Sequence, residues 1–225
     1  MTATSGTDAL PLSRTAWVTD QIREAILGGE IEPGTLIRHR ELEARYGVSA
    51  TPVREAIQRL AAERLLLATP QRGAQVAPYD PVELGDIYQL RLLLEPMATG
   101  RSVTRADGPW QAKVQDSFLA MEEAEPVGPK AWFDAHNQFH SVIRSRCDSP
   151  WTLRFIDDLV LHTERYRRLI KRQPERSRPR AEHAELVRAC LAGDGEHAAD
   201  VMKRHLEGTL DFIRQCLAAD PADEQ

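Results

Sequence analysis

The chain has 225 residues, of which 42% are hydrophobic and 28% charged, and a formal net charge of −5. This composition is ordinary for a globular protein with room for one large or two small domains. No apolar run approaches the roughly 20 residues that cross a bilayer, and the N-terminal residues lack the basic and apolar regions of a signal peptide. The three cysteines have no CxxC spacing, which favours free thiols in a reducing compartment. We therefore expect a cytoplasmic protein without a membrane partner.

A small helical domain is predicted over residues 13–78, after a disordered N-terminus, 1–12. Its first helix is marked by apolar residues at i, i+4 and i+8 in "VTDQIREAI" and stops at the following Gly-Gly pair. The turn "EIEPGTLI" leads to a short helix, "HRELEARYG", whose final glycine, Gly47, can take the left-handed conformation that ends a helix. A compact N-terminal module is therefore expected to begin with two helices.

A third helix is predicted in the segment "SATPVREAIQRL". Ser49 is placed to cap its N-terminus, and Pro52 falls in the first turn, where a missing N–H costs little. Its buried stripe consists of Val53, Ile57, Leu60 and Ala61. This arrangement leaves Thr51 and Arg54 on the outer face, near the N-terminal end of the helix.

Two short strands, near 66–69 and 74–77, follow this helix and are joined by a turn that contains Arg72 and Gly73. Helix, helix, tight turn, helix and hairpin form a winged helix-turn-helix. In such a domain the third helix enters the major groove by its N-terminal end. Arg72 would lie at the tip of the wing, and Gly73 would let the backbone approach closely.

The charge distribution of this domain favours a nucleic-acid partner, although the whole chain is acidic. Between residues 38 and 72 there are seven arginines and only four glutamates. Guanidinium groups suit the recognition of phosphates and base edges. We therefore expect Thr51 and Arg54 to face DNA, while a solvated charged surface is the alternative explanation of the charge alone.

The rest of the chain is predicted to be helical, with residues 79–84 as a linker and residues 85–219 as an antiparallel bundle. Apolar residues at helical spacing mark six helices, within 87–97, 110–121, 132–143, 156–170, 183–190 and 201–212. No strand pattern competes with them. The predicted fold class is therefore mainly α, an N-terminal winged helix-turn-helix followed by an all-α helical bundle.

Four histidines lie on apolar faces of the predicted bundle helices: His136, His140, His183 and His205. Any one of them alone is more typical of a hydrogen-bonded core residue. His136 and His140 are one helical turn apart, and burying four neutral imidazoles together would be costly, so the set favours a metal ion. A metalloprotease would need the pattern HExxH, but Asn137 stands in place of the glutamate.

The segments "GEIEPGTLI", "YGVSATPVREAIQRLAAERLLL" and "QRGAQV" resemble the GntR family of bacterial transcription regulators. The segments "YQLRLLLEP", "HNQFH", "AEHAELVRACLAGD" and "RHLEGTL" resemble the FCD effector domain of its FadR subfamily, and "HTERYRRL" resembles regulators of small dicarboxylate or hydroxy-acid catabolism. The resemblance runs from about residue 15 to 217. It implies sequence-specific DNA binding under the control of a small ligand.

The resemblance also implies which residues contact DNA: Arg40, Thr51, Arg54, Arg72 and Gly73. Two positions depart from the common pattern. Ala50 replaces a frequent arginine, which removes about 1–3 kcal/mol of guanine discrimination, and Leu65 stands where glycine is usual. We therefore expect an operator that differs from the one most common in the subfamily, with Ala50 offering a contact to a thymine methyl group.

FCD domains of this kind hold a divalent ion between an aspartate and three histidines, and the matching positions are His136, His140, His183 and His205. His136 occupies the place where aspartate is common, so the protein would leave the +2 charge of the ion uncompensated. We expect Zn²⁺ or Ni²⁺, or else Cu²⁺, in preference to Mn²⁺. An anionic effector should also be attracted more strongly.

Two arginines are candidates to bind a second carboxylate of such an effector, Arg91 and Arg165. An ion pair between Arg91 and Glu95, four residues further on the same helix, is the alternative for the first of them. The expected function is a homodimeric repressor that binds a palindromic DNA operator and releases it when a small organic acid binds. The alternatives are a regulator for which the metal ion itself is the signal and, less favoured, a metal-dependent hydrolase.

Overall fold

A computed structural model describes residues 13–69, 73–169 and 177–218, and its elements confirm the mainly α fold class. The predicted disorder of residues 1–12 falls outside this part of the chain. Two compact units divide the protein: residues up to Tyr79, together with 164–169, form the first, and residues 80–163 with those after 169 form the second. Each unit has its own core and is described separately.

The first unit contains three helices and three strands within the described residues. These are α1 (Arg14–Leu27), β1 (Leu36–Ile37), α2 (His39–Tyr46), α3 (Ala50–Ala62), β2 (Leu66–Thr69) and β3 (Gly73–Val76). Its core brings together one face of α1, one face of α3 and the hairpin; Val18, Ile22, Val53, Leu60 and Leu66 are all buried there. The helical stripes predicted from the sequence are therefore the packed faces of this unit.

The boundaries of α2 and α3 follow from local chemistry. Gly47 ends α2 with φ 63°, in the left-handed region that glycine adopts without a steric penalty. Ser49 occupies the N-cap of α3 in an extended conformation, as predicted, but within the described residues its hydroxyl caps no backbone N–H. The position of the cap was right and its expected hydrogen bond was not.

The three strands form an antiparallel sheet in the order β1-β3-β2, with Leu36 opposite Gln75 and Leu66 opposite Val76. β1 was not predicted, because a two-residue strand has no alternating pattern to detect. Gly73 begins β3 with φ 116°, and a Cβ atom there would lie 2.1 Å from the carbonyl oxygen of Ile37. Glycine is therefore required where the wing passes over β1.

The second unit is built from helices within the described residues. These are α4 (Pro81–Val103), α5 (Gly108–Ala124), α6 (Pro129–Arg144), most of α7 (Pro150–Leu169), α8 (Ser177–Ala192) and α9 (Gly195–Ala218). Six bundle helices were predicted and six are found. α4 starts inside the segment suggested as a linker, because Asp80 accepts hydrogen bonds from the N–H groups of Val82 and Glu83 and Pro81 occupies the first helical position.

α4 packs most extensively on α9, and two glycines allow the helices to approach closely. A Cβ atom on Gly195 would lie 2.8 Å from the carbonyl oxygen of Gly100, and one on Gly100 would lie 3.1 Å from that of Gly195. A methyl group at either position would separate the two backbones.

The orientation of α4 differs from a simple reading of its apolar residues. Leu90 and Met97 mark the helix in the sequence, but both lie on its exposed face, while Arg91 and Glu95 are buried. The run "LRLLLEP" has leucines on several faces, so periodicity alone does not define which face is packed.

Candidate functional site

One candidate site is the outer face of α3 in the first unit. Val53, Ala56 and Ile57 point into the core, so the opposite side of the helix is presented outward. Thr51 and Arg54 are both exposed there, in the first turn and a half of the helix. The N-terminal end of a helix carries a partial positive charge, which adds to that of the guanidinium group.

The arginines of this unit fall into two groups. Arg23 is held in a bidentate pair with Glu63, at 2.7 and 3.0 Å, and Arg45 binds Glu30. Arg40 and Arg54 are exposed and take part in no ion pair within the described residues. Their charge is therefore available to an external anion. Arg72 lies outside the described residues.

The second candidate site is a cluster of four buried histidines in the bundle: His136, His140, His183 and His205. α6 contributes the first two, one turn apart, while α8 and α9 contribute one each. Each residue offers one ring nitrogen, and the four atoms lie within 4.8 Å of one another. Three helices therefore converge on one point, although only the α6 pair are neighbours in the sequence.

The rings are packed against one another. The Nε2 atoms of His136 and His140 lie 3.1 Å apart, and the ring centroids of His183 and His205 are 4.6 Å apart. A tetrahedral Zn²⁺ with Zn–N bonds of about 2.1 Å requires nitrogen atoms about 3.4 Å apart. The observed separations are close to that geometry, and neutral imidazole is a preferred ligand of Zn, Ni and Cu. The donor set fits a divalent ion of this class.

A carboxylate adjoins the cluster without being one of the four ligands. Glu182, itself buried, lies with one carboxylate oxygen 3.0 Å from Nδ1 of His205. A carboxylate can only accept here, so Nδ1–H of His205 donates and the Nε2 atom of that ring is left for a metal. The sequence analysis missed Glu182. Its position next to His183 was the available signal, but the contact is to a histidine 23 residues away.

Aromatic side chains surround the imidazoles. The ring centroid of Trp132 lies 4.8 Å from that of His136, and Phe139 lies 5.3 Å from His140 and 5.5 Å from His183. Trp132 is half-buried and Phe139 is fully buried. These rings limit the access of water to the cluster, which strengthens electrostatic interactions inside it.

The two predicted effector-binding arginines have different outcomes. Nε of Arg91 donates to Glu95 at 2.6 Å, and its guanidinium lies 4.9 Å from the ring centroid of Tyr88, with all three side chains buried. Burial alone would lower the pKa of Arg91, but the charge of Glu95 outweighs it and the pKa is raised. The pair with Glu95 is the alternative that the sequence left open. The side chain of Arg165 lies outside the described residues.

Comparison with known proteins identifies the family. Residues 15–76 match the model for bacterial regulatory proteins of the gntR family, and residues 86–208 match the FCD domain. The HTH-type transcriptional regulator BphR of Paraburkholderia xenovorans is 33% identical over 204 residues, which cover 87% of this chain and 83% of that protein. The chain belongs to the GntR family.

Further similarities agree with this assignment. The HTH-type transcriptional repressor GlaR of Escherichia coli is 30% identical to this GntR protein over 209 residues, covering 88% of this chain and 95% of GlaR. A GntR regulator from Rhodococcus has the same fold, with a TM-score of 0.75 at 23% identity, over 93% of this chain and all of that structure. This GntR protein is a DNA-binding transcription regulator with an FCD domain, and its relatives are regulators, not enzymes.

The structure adds one negative observation about the helices. Every helix in the described ranges falls short of the length or the hydropathy that a transmembrane span needs.

Proposed function

We propose that this GntR protein is a repressor of the FadR subfamily whose operator affinity is controlled by a small carboxylate bound at a divalent metal ion. The observation that carries the proposal is the convergence of four buried imidazole nitrogens within 4.8 Å. A repressing role is supported by the relative GlaR, which is named a transcriptional repressor. The protein would act in the cytoplasm as a homodimer on a palindromic operator, since closed two-fold dimers match two-fold DNA sites.

The DNA-reading residues of this proposal are Arg40, Thr51 and Arg54 with the wing residues Arg72 and Gly73, all within a domain of residues 13–78. The exposure of Thr51 and Arg54 at the N-terminal end of α3 supports it. The bundle, residues 85–219, would hold the effector.

The chemistry of the cluster supports an anionic effector. Four neutral imidazoles leave the charge of a divalent ion uncompensated by its own ligands, so an open coordination position favours a carboxylate. The same ligand set favours Zn²⁺ or Ni²⁺ over Mn²⁺. Arg165 is the better candidate for a second carboxylate, because Arg91 already binds Glu95 inside the bundle.

The DNA side of the proposal is tested with the variant Arg54→Ala. We expect specific operator binding to weaken by about 1–3 kcal/mol while binding to random DNA changes little, because a base-reading arginine carries discrimination. Fluorescence anisotropy with an operator selected in vitro measures both. Arg59→Ala, an exposed arginine further along α3, is the matched control. Equal losses on both DNAs would reduce Arg54 to a phosphate contact.

The metal side is tested by elemental analysis after purification without chelator, with His140→Ala as the comparison. We expect about one Zn²⁺ or Ni²⁺ per chain in the unaltered protein and a large loss in the variant. Operator binding is then measured in a titration with mono- and dicarboxylic acids, with and without metal. Release by acid only in the presence of metal supports the proposal. Release by metal alone would favour the second candidate, a metal-responsive regulator, which the same four histidines support.

A further inference from the structure

α4 carries an unusual exposed surface in the second unit. Four large apolar side chains, which we term the α4 stripe, lie on one side of the helix: Val82, Leu90, Leu93 and Met97. Val82 and Leu93 are each 70% exposed. At 100° per residue the four side chains fall within an arc of about 80°, so they form one continuous strip. Monomeric proteins rarely expose a strip of this kind without a partner.

The neighbouring helix α7 extends this surface. α4 and α7 pack together through Leu94, Ala98, Leu153 and Ile156, and Asp148, just before α7, pairs with Arg105 at 2.6 Å and with Arg101 at 3.7 Å near the end of α4. The two helices are therefore antiparallel. Helical periodicity then places the exposed ring of Phe155 on the same side of the pair as the α4 stripe.

The charges at the two ends of the α4 stripe are opposite in sign and symmetrically placed. Asp86 and Arg101 are both exposed and lie seven and eight residues from Leu93, in opposite directions along the helix. If two copies of α4 pack antiparallel with Leu93 at the centre, Leu90 meets the partner's Met97 and Asp86 meets the partner's Arg101. An isologous pairing of this kind repeats each contact twice.

We propose that a second copy of this chain covers the α4 stripe, with the two α4 helices antiparallel about a two-fold axis at Leu93. The size of the face agrees. α4 is about 34 Å long, and two adjacent helices are about 20 Å wide, which approaches the about 800 Å² per partner that a standard interface buries. The inference rests on the homodimer proposed above and assigns its contact to the FCD domain.

The first test measures oligomeric state by sedimentation velocity, without DNA, in the full chain. Leu93→Glu places two like charges at the axis, so we expect the dimer dissociation constant to rise at least about thirtyfold. Leu119→Glu is the matched control, because Leu119 is an exposed leucine of α5, outside the stripe. We expect the control to remain as dimeric as the unaltered protein. Equal behaviour of the two variants would overturn the proposal.

The second test uses charge exchange, which does not depend on how Leu93→Glu folds. Asp86→Arg and Arg101→Asp should each weaken the dimer, and the double variant should restore it, because the two charges meet across the axis. Failure of the double variant to recover would overturn the antiparallel register. A third variant, Leu93→Cys, should form a cross-linked dimer on mild oxidation, whereas Leu119→Cys should not.

The outcomes separate this inference from the function it rests on. A monomeric unaltered protein would overturn both the homodimer and its interface. A dimer that survives Leu93→Glu would overturn the interface alone and leave DNA binding and metal control as proposed.

Discussion

Glu182 illustrates how a single residue outside the ligand set can control a metal site. Its carboxylate accepts from Nδ1–H of His205 at 3.0 Å, which fixes the orientation of that ring and directs Nε2 to the other histidines. It also supplies the negative charge that four imidazoles lack. A partner of this kind raises the basicity of the ligand and orients it before the ion arrives.

We predict that Glu182→Gln lowers metal affinity about 10–100-fold, because glutamine retains the shape but not the charge. Competition with a chromophoric chelator measures the affinity. Glu185→Gln is the matched control, since Glu185 lies on the same helix but binds Arg204 and His197 at the surface. An unchanged affinity in Glu182→Gln would show that the contact with His205 has no influence on the ion.

Cys190 gives a second view of the bundle interior at the same scale. Burial raises the pKa of its thiol to about 12. The thiolate form is therefore rare at neutral pH, and Cys190 is inert for the reason that buried thiols generally are. All three cysteines are free, and two of them are buried, which agrees with the expectation of unpaired thiols.

At the scale of the element, α4 contains a buried ion pair within a single helix. Arg91 and Glu95 are one turn apart and shielded from water, so each charge depends on the other. Removing one partner of a buried pair leaves the other uncompensated, whereas replacing both with apolar residues is often tolerated.

We predict that Arg91→Met lowers the free energy of unfolding by about 3–5 kcal/mol and that the double variant Arg91→Met/Glu95→Leu recovers most of it. Urea denaturation followed by circular dichroism measures both. If the single variant is as stable as the unaltered protein but no longer responds to organic acids, Arg91 binds the effector instead.

Sequence patterns predicted most elements because their apolar residues recur at regular spacing. α3 and α6 are clear cases: each has one buried face, and in α6 that face carries His136 and His140. The convergence of His183 and His205 on them required the family resemblance, because spacing within a helix says nothing about which helices meet. Glu182 was missed for the same reason. The exposed side of α4 was missed because its leucines occupy several faces.

The whole molecule consists of two units, each with a core of its own. The histidine cluster belongs entirely to the second unit, so a bound ion acts on the stability of that unit. A ligand that binds only the folded state adds about 2.7 kcal/mol of stability when present at 100 times its dissociation constant.

We predict two calorimetric unfolding transitions, of which added Zn²⁺ raises only one and a chelator lowers the same one. Two variants assign the transitions. Leu60→Ala, in the core of the first unit, should lower the other transition, because truncating a buried leucine costs about 2–5 kcal/mol. His140→Ala should abolish the response to Zn²⁺. A response confined to the transition that Leu60→Ala lowers would contradict the location of the metal site.

The contact between Trp132 and His136 makes the cluster visible by its own light emission. An indole 4.8 Å from one imidazole senses whatever occupies the space beyond it. An open-shell ion such as Cu²⁺ or Ni²⁺ quenches indole fluorescence at such a range, whereas closed-shell Zn²⁺ does not. The protein thus carries a built-in optical probe that distinguishes which ion it has taken up, with no label attached.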